Sequence, residues 1–366
     1  MGTTIRDVAS EAGVSTATVS RVLAKFSGDS LDGGSFLPVA EKTQLRVLDA
    51  VSRLDYRINY TARGLKTQST MMVAVIFPEL ANDFFMNVAE GIEQELNSRA
   101  YTMLMASSLN SIEEEKKRIA MLAERMVDGM IITPTGTRGD HLQALADQGL
   151  PLVMVDRIVE GTNLDAVTSD NEGGTFQLTR ALLADGFRRI AFVGGEITLS
   201  SARERLSGFG RALAEAGIKP DPSLICLGGM EIEDGYEHMR RLLQRPEAPE
   251  AMVAVNLLVH LGMERCLLDF NPDGMGKEPV IAGFDESWFT TFLPACRYTA
   301  AQDAVGMGRC AGRRIIEKIR EKKSGNGSPE GKTGETIIRL PVAINRSDKI
   351  NTKQNNNLYY GGKTWQ

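Results

Sequence analysis

The sequence predicts a small all-α N-terminal head followed by an α/β core of two doubly wound parallel-sheet lobes. Three observations lead to this prediction. Residues 4–23 (TIRDVASEAGVSTATVSRVL) have the apolar spacing of two short helices on either side of a glycine. From residue 71 onward, short apolar runs alternate with amphipathic stretches, which is typical of parallel sheets covered on both faces. Two successive sets of these runs indicate two lobes.

The composition of the 366-residue chain excludes several classes of protein. The longest clean apolar run, residues 71–77, is too short to span a membrane, and the N-terminus lacks the apolar core of a signal peptide. We therefore expect a cytoplasmic protein without a membrane span. The four cysteines are scattered without metal or redox spacing, which predicts reduced thiols. The net charge of −5 divides into +2 for residues 1–70 and −7 for the rest, which permits a nucleic-acid-binding head.

The first two helices have local signals for a helix-turn-helix. Thr4 and Asp7 have the spacing of a capping box, and Gly13 accepts the left-handed conformation of a tight turn. Ser15 can cap a second helix, whose first turn is small and hydroxylic and is followed by Arg21. Such a surface suits close approach to phosphates and base edges. An ordinary capped helical hairpin is the alternative that the residues alone leave open.

In nearly every position, residues 4–23 resemble the head of the lactose/galactose repressor family of bacterial transcription regulators. In that family, the first two residues of the recognition helix and an arginine contact bases, and other positions hold phosphates. The resemblance implies base contacts by Thr16, Ala17 and Arg21. It implies phosphate contacts by Ser15, Thr18 and Ser20, and we add Thr4 and Tyr56 to the predicted DNA-contacting set.

The next segments complete the predicted head. Residues 24–38 are rich in Gly and Ser and predict a loop, about twice as long as the family normally has. A third helix is predicted over about residues 40–54, with Leu45, Leu48 and Val51 facing the head core. Ala40 stands where the family usually has a capping serine, so this helix start is expected to be weaker by ~1 kcal/mol.

Residues 56–70 form a polar segment that resembles the hinge helix of the same family. The matching positions within the predicted DNA-contacting set are Asn59, Ala62, Leu65 and Lys66. A helix this short is unstable alone, so we expect it to fold when two copies meet in the minor groove. The resemblance implies that Leu65 is the wedge that unstacks a central base step. A flexible linker is the alternative.

The core elements follow in order. Strands are predicted in the first lobe at 71–77, 101–106, 129–133 and 152–156, and in the second at 166–169, 189–195, 224–228, 251–255 and 280–284. The helices between them include 84–99, 112–126, 172–184 and 203–216. A helix at 305–322, a loop and one last strand, IIRLPV, complete the core. The predicted divisions are a head at 1–57, a hinge at 58–70, a core at 71–350 and a disordered tail at 351–366.

Enzyme motifs are absent from the sequence. The three histidines form no HExxH motif, and although His260 and Glu264 share a helix face, they do not amount to a ligand set. The segment GGEITLSSARERL lacks both the lysine of a phosphate-binding loop and the third glycine of a dinucleotide site. No GxSxG motif is present. We therefore expect no enzymatic activity, no cofactor and no metal.

Polar residues instead recur where predicted strands end. Asp156, Asn256 and Asp285 each follow an apolar run, and Arg205 lies just inside a helix that follows a strand. Ligands of doubly wound folds bind beyond the carboxyl ends of strands, and such groups suit hydrogen bonding to vicinal hydroxyls. Taken singly, these residues have plainer alternatives: a helix cap for Asp156 or Asp285 and a surface charge for Arg205.

The resemblance extends over about residues 4–347, and its core is the family's sugar-binding-protein-like, or periplasmic-binding-protein-like, fold. It implies an effector site at Phe84, Phe85, Asp156, Ser201, Arg205, Met230, Asn256, Asp285 and Gln302. The family's usual Asn-Asp pair is Asn256-Leu257 here, which removes one carboxylate. The segments FVGGEITLSSARERLSGFGRALAEAGI and FDESWFTTFL look closest to the sucrose and fructose repressor branch. A phosphorylated sugar is an alternative effector, because Arg203 and Arg205 could bind its anionic group.

These observations together predict an effector-controlled transcription regulator, with repressor favoured over activator. Its expected partners are a palindromic double-stranded DNA operator, a sugar or sugar-phosphate effector and a second copy of the chain, with a tetramer as the alternative assembly. A non-sugar effector such as a nucleobase stays open. The rival functions are a transport-type sugar receptor, which would need a signal peptide and no head, and a sugar-phosphate or nucleotide enzyme.

Overall fold

The computed structural model describes residues 3–26, 39–56, 69–270, 279–324 and 336–347. The head consists of three helices, α1 (Ile5–Glu11), α2 (Thr16–Phe26) and α3 (Glu41–Arg53). Val8, Val19 and Val47 are fully buried where the three helices meet, and Val22 and Ala50 complete the centre of this small core. The predicted three-helix head is present.

Two details of the head differ from the sequence-based predictions. Helix α2 continues through Phe26, so the loop predicted from residue 24 begins later, and residues 27–38 lie outside the described part. On α3, Val47 and Ala50 face the core while Leu45 is 63% exposed, so its predicted core position was wrong. Both sets of positions have helical spacing, and the small side chain of Ala50 made the correct stripe look less apolar than the other.

The first lobe contains a six-stranded sheet in the order β11-β5-β4-β3-β1-β2, with every pair parallel. Alternate residues of β1 pack into separate buried clusters on the two faces of the sheet. The strands are β1 (Met72–Phe77), β2 (Thr102–Ser107), β3 (Gly129–Ile132), β4 (Leu152–Val155), β5 (Asp165–Ser169) and β11 (Ile337–Leu340).

The second lobe contains a six-stranded sheet in the order β12-β10-β9-β8-β6-β7. Its pairs are parallel except for the edge strand β12, which runs antiparallel to β10. The strands are β6 (Ile190–Val193), β7 (Ile225–Cys226), β8 (Ala251–Ala254), β9 (Val280–Phe284), β10 (Cys296–Gln302) and β12 (Val342–Arg346).

Helices cover the sheets of both lobes. Those of the first lobe are α4 (Asp83–Asn97), α5 (Ile112–Glu124), α6 (Asp140–Asp147) and α11 (Ala304–Lys323). Those of the second lobe are α7 (Asn171–Ala184), α8 (Ser200–Glu215), α9 (Ile232–Leu243) and α10 (Leu257–Phe270). The predicted architecture of two doubly wound lobes is confirmed.

The division of strands between the lobes was partly wrong. Residues 166–169, predicted in the second lobe, belong to β5 and pair with β4 of the first sheet. The run IIRLPV is not one strand, because β11 joins the first sheet and β12 joins the second. Strand β10 was not predicted, since its run CRYTAAQ is only half apolar. A short run of residues carries no signal for which sheet it joins.

The chain consequently crosses between the lobes three times, at residues 169–171, 302–304 and 340–342. Asp170 and Asp303 cap the helices that follow the first two crossings, and each carboxylate accepts a hydrogen bond from a glycine N–H three residues on, at 2.9 and 2.8 Å. The crossings lie at equivalent places in the two lobes. In the described part of the chain, no helix is long and apolar enough to cross a lipid bilayer.

Candidate functional site

The exposed side of helix α2 forms the first candidate site. Ser15 caps the helix by accepting a hydrogen bond from the N–H of Thr18 at 3.2 Å, and the two hydroxyls lie 3.0 Å apart. Val19 and Val22 pack into the head, which leaves the small and hydroxylic residues facing outward. The exposed ones include Thr16, Ala17 and Ser20. This is a shallow, polar helix surface without a bulky side chain on its first turn.

Arg21 lies one turn further along the same surface. Its Nε is 3.4 Å from the carbonyl oxygen of Ala17, a long hydrogen bond that leaves the other guanidinium donors available for an external acceptor. Helix α1 supports α2 from behind. Asp7 accepts hydrogen bonds from the N–H and the hydroxyl of Thr4 at 2.8 and 2.7 Å, which lowers the pKa of the Asp7 carboxyl. Gly13, with φ +62°, makes the turn between the helices.

The remaining predicted DNA contacts divide into two groups. Thr4 is exposed at the start of α1, and Tyr56 is half-buried against the head core at its far end. The hinge residues Asn59, Ala62, Leu65 and Lys66 lie outside the described residues. Within the described head, the exposed predicted contacts therefore lie on α2 and at the start of α1.

The second candidate site is a cavity of about 460 Å³ between the two lobes of the core. Residues from the ends of β1, β3 and β4 line one side, and residues that follow β6, β7, β8 and β9 line the other. The nine residues predicted to contact an effector all line this cavity: Phe84, Phe85, Asp156, Ser201, Arg205, Met230, Asn256, Asp285 and Gln302.

Asp156 and Asp285 occupy matching positions in the two lobes. Each follows the last residue of a central strand, and each has a positive φ, +68° and +75°, which few residues other than Gly, Asn and Asp adopt readily. Their N–H groups continue the sheet by donating to the carbonyls of Val167 at 2.8 Å and Ala300 at 3.0 Å. This left-handed turn directs both carboxylates toward the space between the lobes.

The two carboxylates differ in their partners. Asp285 accepts hydrogen bonds from the N–H of Leu257 at 3.3 Å and from the side-chain amide of Gln302. Asp156 lies 3.6 Å from Nε of Arg157, and burial raises its pKa against the opposing effect of Arg157 and Arg205. Asp156 is thus a buried carboxyl in an ion pair with Arg157, at a distance too long for a hydrogen bond.

Arg205 is 4% exposed and fixed by three contacts. Its Nε donates to the side-chain oxygen of Asn171 at 2.9 Å, and its Nη1 donates to the carbonyl of Val255 at 2.8 Å. The guanidinium carbon lies 3.7 Å from the ring centroid of Phe284, a cation–π contact. Arg203, predicted as a second cation for an anionic ligand, is exposed and does not line the cavity. Arg203 precedes Arg205 by two residues on α8. This spacing corresponds to a little more than half a helical turn, so Arg203 lies on the opposite side of the helix.

Asn256 and Met230 are joined across the floor of the cavity. The Asn256 amide donates to the carbonyl of Met230 at 2.9 Å, and its oxygen accepts from the N–H of Val259 at 2.9 Å, capping α10. Asn256 therefore caps a helix and also lines the cavity. Gln302 retains a buried side-chain oxygen that has no hydrogen-bond partner in the described part of the chain.

Sequence reasoning missed several residues of the cavity. Arg157 is only 6% exposed, and its Nε and Nη1 have no hydrogen-bond partner among the residues that the structure describes. Burial lowers the pKa of this guanidinium. Glu79 and Glu231 face the cavity from opposite lobes, and burial, followed by the charge of Glu79, raises the pKa of Glu231. An arginine directly after a strand-ending aspartate was the available signal for Arg157. The two glutamates lie in loops and gave none.

The described residues contain no group of three His, Cys, Asp or Glu side chains that could hold a metal ion. The cavity is lined by hydrogen-bonding groups and charges of both signs, together with two aromatic rings and the apolar side chains of Ile112, Leu199 and Met230. Such a wall can hold a small polar ligand by several directed hydrogen bonds.

Two family models match the chain. Residues 4–59 match the model described as bacterial regulatory proteins, lacI family. Residues 70–286 match the model described as periplasmic binding proteins and sugar binding domain of the LacI family. The boundary between the two matches coincides with the polar segment between head and core.

Individual relatives are similar along nearly the whole chain. The HTH-type transcriptional regulator RegA of Clostridium saccharobutylicum is 33% identical over 88% of this chain and 94% of its own length. The HTH-type transcriptional repressor PurR of Haemophilus influenzae strain PittGG is 31% identical, over 93% of this chain and 98% of that protein.

Solved structures match the fold. The lac repressor dimer bound to operator and the anti-inducer ONPF has a TM-score of 0.78 at 23% identity, over 95% of this chain and 99% of that one. The complex of the regulator CelR with cellobiose has a TM-score of 0.65 at 26% identity, over 93% and 98% of the two chains. With a helix-turn-helix head and a two-lobed core that encloses a polar cavity, the chain belongs to the LacI family of DNA-binding transcription regulators.

Proposed function

We propose that the protein is a dimeric repressor whose affinity for a palindromic operator is set by a small sugar-class effector bound between the lobes. The observation that carries this proposal is the presence, in one chain, of an outward-facing recognition helix and a polar cavity at the carboxyl ends of both sheets. Each feature alone fits other proteins. Together they supply a surface for DNA and a site for a ligand that can change the affinity of the protein for DNA.

We assign base contacts to Thr16, Ala17 and Arg21 and phosphate contacts to Ser15, Thr18 and Ser20. The exposure of the first turn of α2 and the free donors of Arg21 support this assignment. Thr4 and Tyr56 are proposed as contacts at the margin of the head. Two heads related by dyad symmetry would bind two half-sites of the operator.

Residues 58–70 are proposed as the hinge between a head at 1–57 and a core at 71–350, with 351–366 as a tail. In this proposal, Asn59, Ala62, Leu65 and Lys66 contact the minor groove once two chains have paired there. Support comes from the sequence resemblance and from the shortness of the segment, which would make folding dependent on DNA.

A neutral sugar is the effector that the cavity supports best. Six carboxyl side chains line it against the two guanidinium groups of Arg157 and Arg205: Glu79, Asp156, Glu196, Glu231, Asp234 and Asp285. Carboxylates accept hydrogen bonds from vicinal hydroxyls, and the ring of Phe84 offers an apolar surface for a pyranose or furanose face. This charge balance disfavours a ligand that adds several negative charges.

A sugar phosphate is the second candidate, and Arg157 is the observation that favours it. Its buried nitrogens without partners would gain most from a charged acceptor. A planar non-sugar effector such as a nucleobase is the third, and it would stack on the phenylalanine pair of Phe84 and Phe85, whose centroids lie 5.3 Å apart. A thermal-shift comparison of each class separates the three.

Within the family, we propose the sucrose and fructose repressor branch as the nearest group. The support is the amino-acid sequence of two segments, FVGGEITLSSARERLSGFGRALAEAGI and FDESWFTTFL, together with the Asn256-Leu257 pair and the long loop predicted in the head. We further propose that the protein works in the cytoplasm, as a homodimer rather than a tetramer, and has no catalytic activity.

The test is a thermal-shift screen of the full chain against sugars, sugar phosphates and nucleobases, because a ligand that binds only the folded state raises its apparent stability. Each stabilising compound is then tested on Asp285→Asn, which removes one carboxylate from the cavity wall. Asparagine tolerates the positive φ of this position. We expect the parent to be stabilised by a sugar and Asp285→Asn not to be.

The matched control is Glu286→Gln, which makes the same change in charge at an exposed neighbour. Stabilisation of Asp285→Asn equal to that of the parent would remove Asp285 from the effector site. If the screen finds no ligand and the protein also fails to prefer any palindromic duplex over random DNA, the proposed function is wrong.

A further inference from the structure

Residues 69–71 form the point at which the chain from the head joins the core, and they are held by one carboxylate. The side chain of Asp128 is 5% exposed. It accepts hydrogen bonds from the N–H groups of Thr70 at 2.8 Å and Met71 at 3.3 Å. It also accepts from the hydroxyls of Thr70, at 3.1 Å, and Ser69. A single buried side chain therefore fixes three consecutive residues.

Lys323, the last residue of α11, completes this arrangement. Its Nζ donates to the hydroxyl of Ser69 at 2.8 Å and lies 3.6 Å from the carboxylate of Asp128 and 3.4 Å from the hydroxyl of Tyr101. The lysine thus offsets the charge of the buried aspartate and contacts the incoming segment directly. We call Ser69, Thr70, Asp128 and Lys323 the Asp128 clamp.

The backbone inside the clamp has an unusual conformation. Met71 has φ +56°, in the left-handed backbone region that residues other than Gly, Asn and Asp rarely adopt. Its N–H is bound by Asp128, and its carbonyl accepts from the N–H of Thr102 at 2.8 Å. Such a conformation persists only where the surroundings impose it, so the contacts of the clamp determine the direction of the chain.

Two elements connect the clamp to the cavity between the lobes. Helix α11 begins at Ala304, directly after the crossing next to Gln302, and ends at Lys323; its 20 residues span about 30 Å. Strand β3 begins at Gly129, next to Asp128, and leads to Thr135 and Gly136 in the cavity wall. Each of these two elements therefore has a residue of the clamp at one end and residues at or next to the cavity at the other.

We propose that Asp128 and Lys323 are positioning residues for operator binding, which fix the direction in which the chain leaves the core toward the DNA-binding head. A shift of α11 relative to β3 when the lobes move then changes that direction and with it the placement of the head. The inference rests on the proposed operator binding, and it assigns the coupling to one clamp rather than to the whole lobe surface.

The test uses full-length protein and a duplex selected by the parent from random DNA, with affinities measured by fluorescence anisotropy. Asp128→Asn and Lys323→Met are each expected to weaken binding of the selected duplex by about tenfold, the usual size of an energetic coupling between sites. Binding of a scrambled duplex, which reports an intact head, is expected to change by less than about twofold. The amides of residues 70 and 71 should exchange faster with deuterium in both variants.

Lys322→Met is the matched control, because it removes the same charge one residue away on the same exposed helix end. Lys323 is itself 42% exposed, so its replacement is expected to leave the fold intact even if Asp128→Asn does not. Equal losses for Lys322→Met and Lys323→Met, or equal losses on the selected and scrambled duplexes, would overturn the clamp while leaving operator binding in place. Failure of the parent to select any duplex would overturn both proposals.

Discussion

Arg205 donates a hydrogen bond from Nε to the side-chain oxygen of Asn171 at 2.9 Å, joining the cavity wall to a crossing between the lobes. Asn171 is the first residue of α7, and its amide also contacts the carboxylate of Glu204 at 3.1 Å. A ligand that contacts Arg205 is therefore one side chain away from the first residue after this crossing.

Arg205→Lys should destabilise the core. Lysine cannot bind the carbonyl of Val255 and Asn171 at the same time as stacking on Phe284, so buried acceptors lose partners at about 1–3 kcal/mol each. Urea unfolding measures the loss. Arg203→Lys, on the exposed side of the same helix, is the control and should change the free energy of unfolding by less than about 0.5 kcal/mol. Equal effects for both variants would show that Arg205 is not held as described.

Arg21→Ala should reduce discrimination between sequences. If the guanidinium binds a base edge, the variant loses about 1–3 kcal/mol on the selected duplex and much less on a scrambled one. Competition binding measures the ratio of the two affinities. Arg53→Ala, at the end of α3 and paired with Asp49 at 3.0 Å, is the control. A uniform loss on both duplexes would mean that Arg21 contacts only phosphate.

Asp156 should make the stability of the core depend on pH. Because burial raises its pKa in the folded state, the folded protein holds this proton at pH values where the unfolded chain has released it. The resulting contribution to stability is complete below the ordinary aspartate pKa of about 4 and is lost as pH rises through the folded-state value. The unfolding temperature of Asp156→Asn relative to the parent should therefore increase with pH. A difference that decreases with pH would reverse the assigned shift.

A pair of glycines on α8 tests how closely the helices of the second lobe pack. A Cβ at Gly208 would lie 2.1 Å from the carbonyl oxygen of Glu172 on α7, whereas a Cβ at Gly210 meets nothing within 4 Å. Gly208→Ala should cost about 1–3 kcal/mol, since the two backbones must separate. Gly210→Ala should be stabilising by up to about 1 kcal/mol through helix propensity. Urea denaturation measures the change in the free energy of unfolding for both variants. Changes of the same sign in the two variants would contradict the described contact.

Sequence reasoning succeeded where a pattern is local and failed where it depends on partners. The apolar runs predicted ten of the twelve described strands, with IIRLPV counted once, for β11, because burial on both faces leaves a continuous hydrophobic signal. The run at 166–169 was placed in the wrong lobe because a four-residue segment does not indicate which strand it pairs with. Strand β10 was missed because its half-polar sequence resembles a surface loop.

The same distinction applies to the sites. Residues at strand ends, such as Asp156 and Asp285, were predictable because parallel strands bring their carboxyl ends to one edge. Glu79 and Glu231 were not, because they reach the cavity only through the paths of their loops. Arg203 was predicted to face the ligand with Arg205, but helix geometry separates two residues two positions apart.

The most direct test of effector-controlled operator binding measures the affinity for a palindromic duplex, selected by the protein itself, at about 150 mM salt, where non-specific phosphate binding is weak. The measurement is repeated with the compound that stabilises the core in the thermal-shift screen. We expect a preference for the selected duplex over scrambled DNA of at least about 1,000-fold, and a change in that affinity when the compound binds. Equal affinity for the two duplexes, with or without the compound, would contradict it.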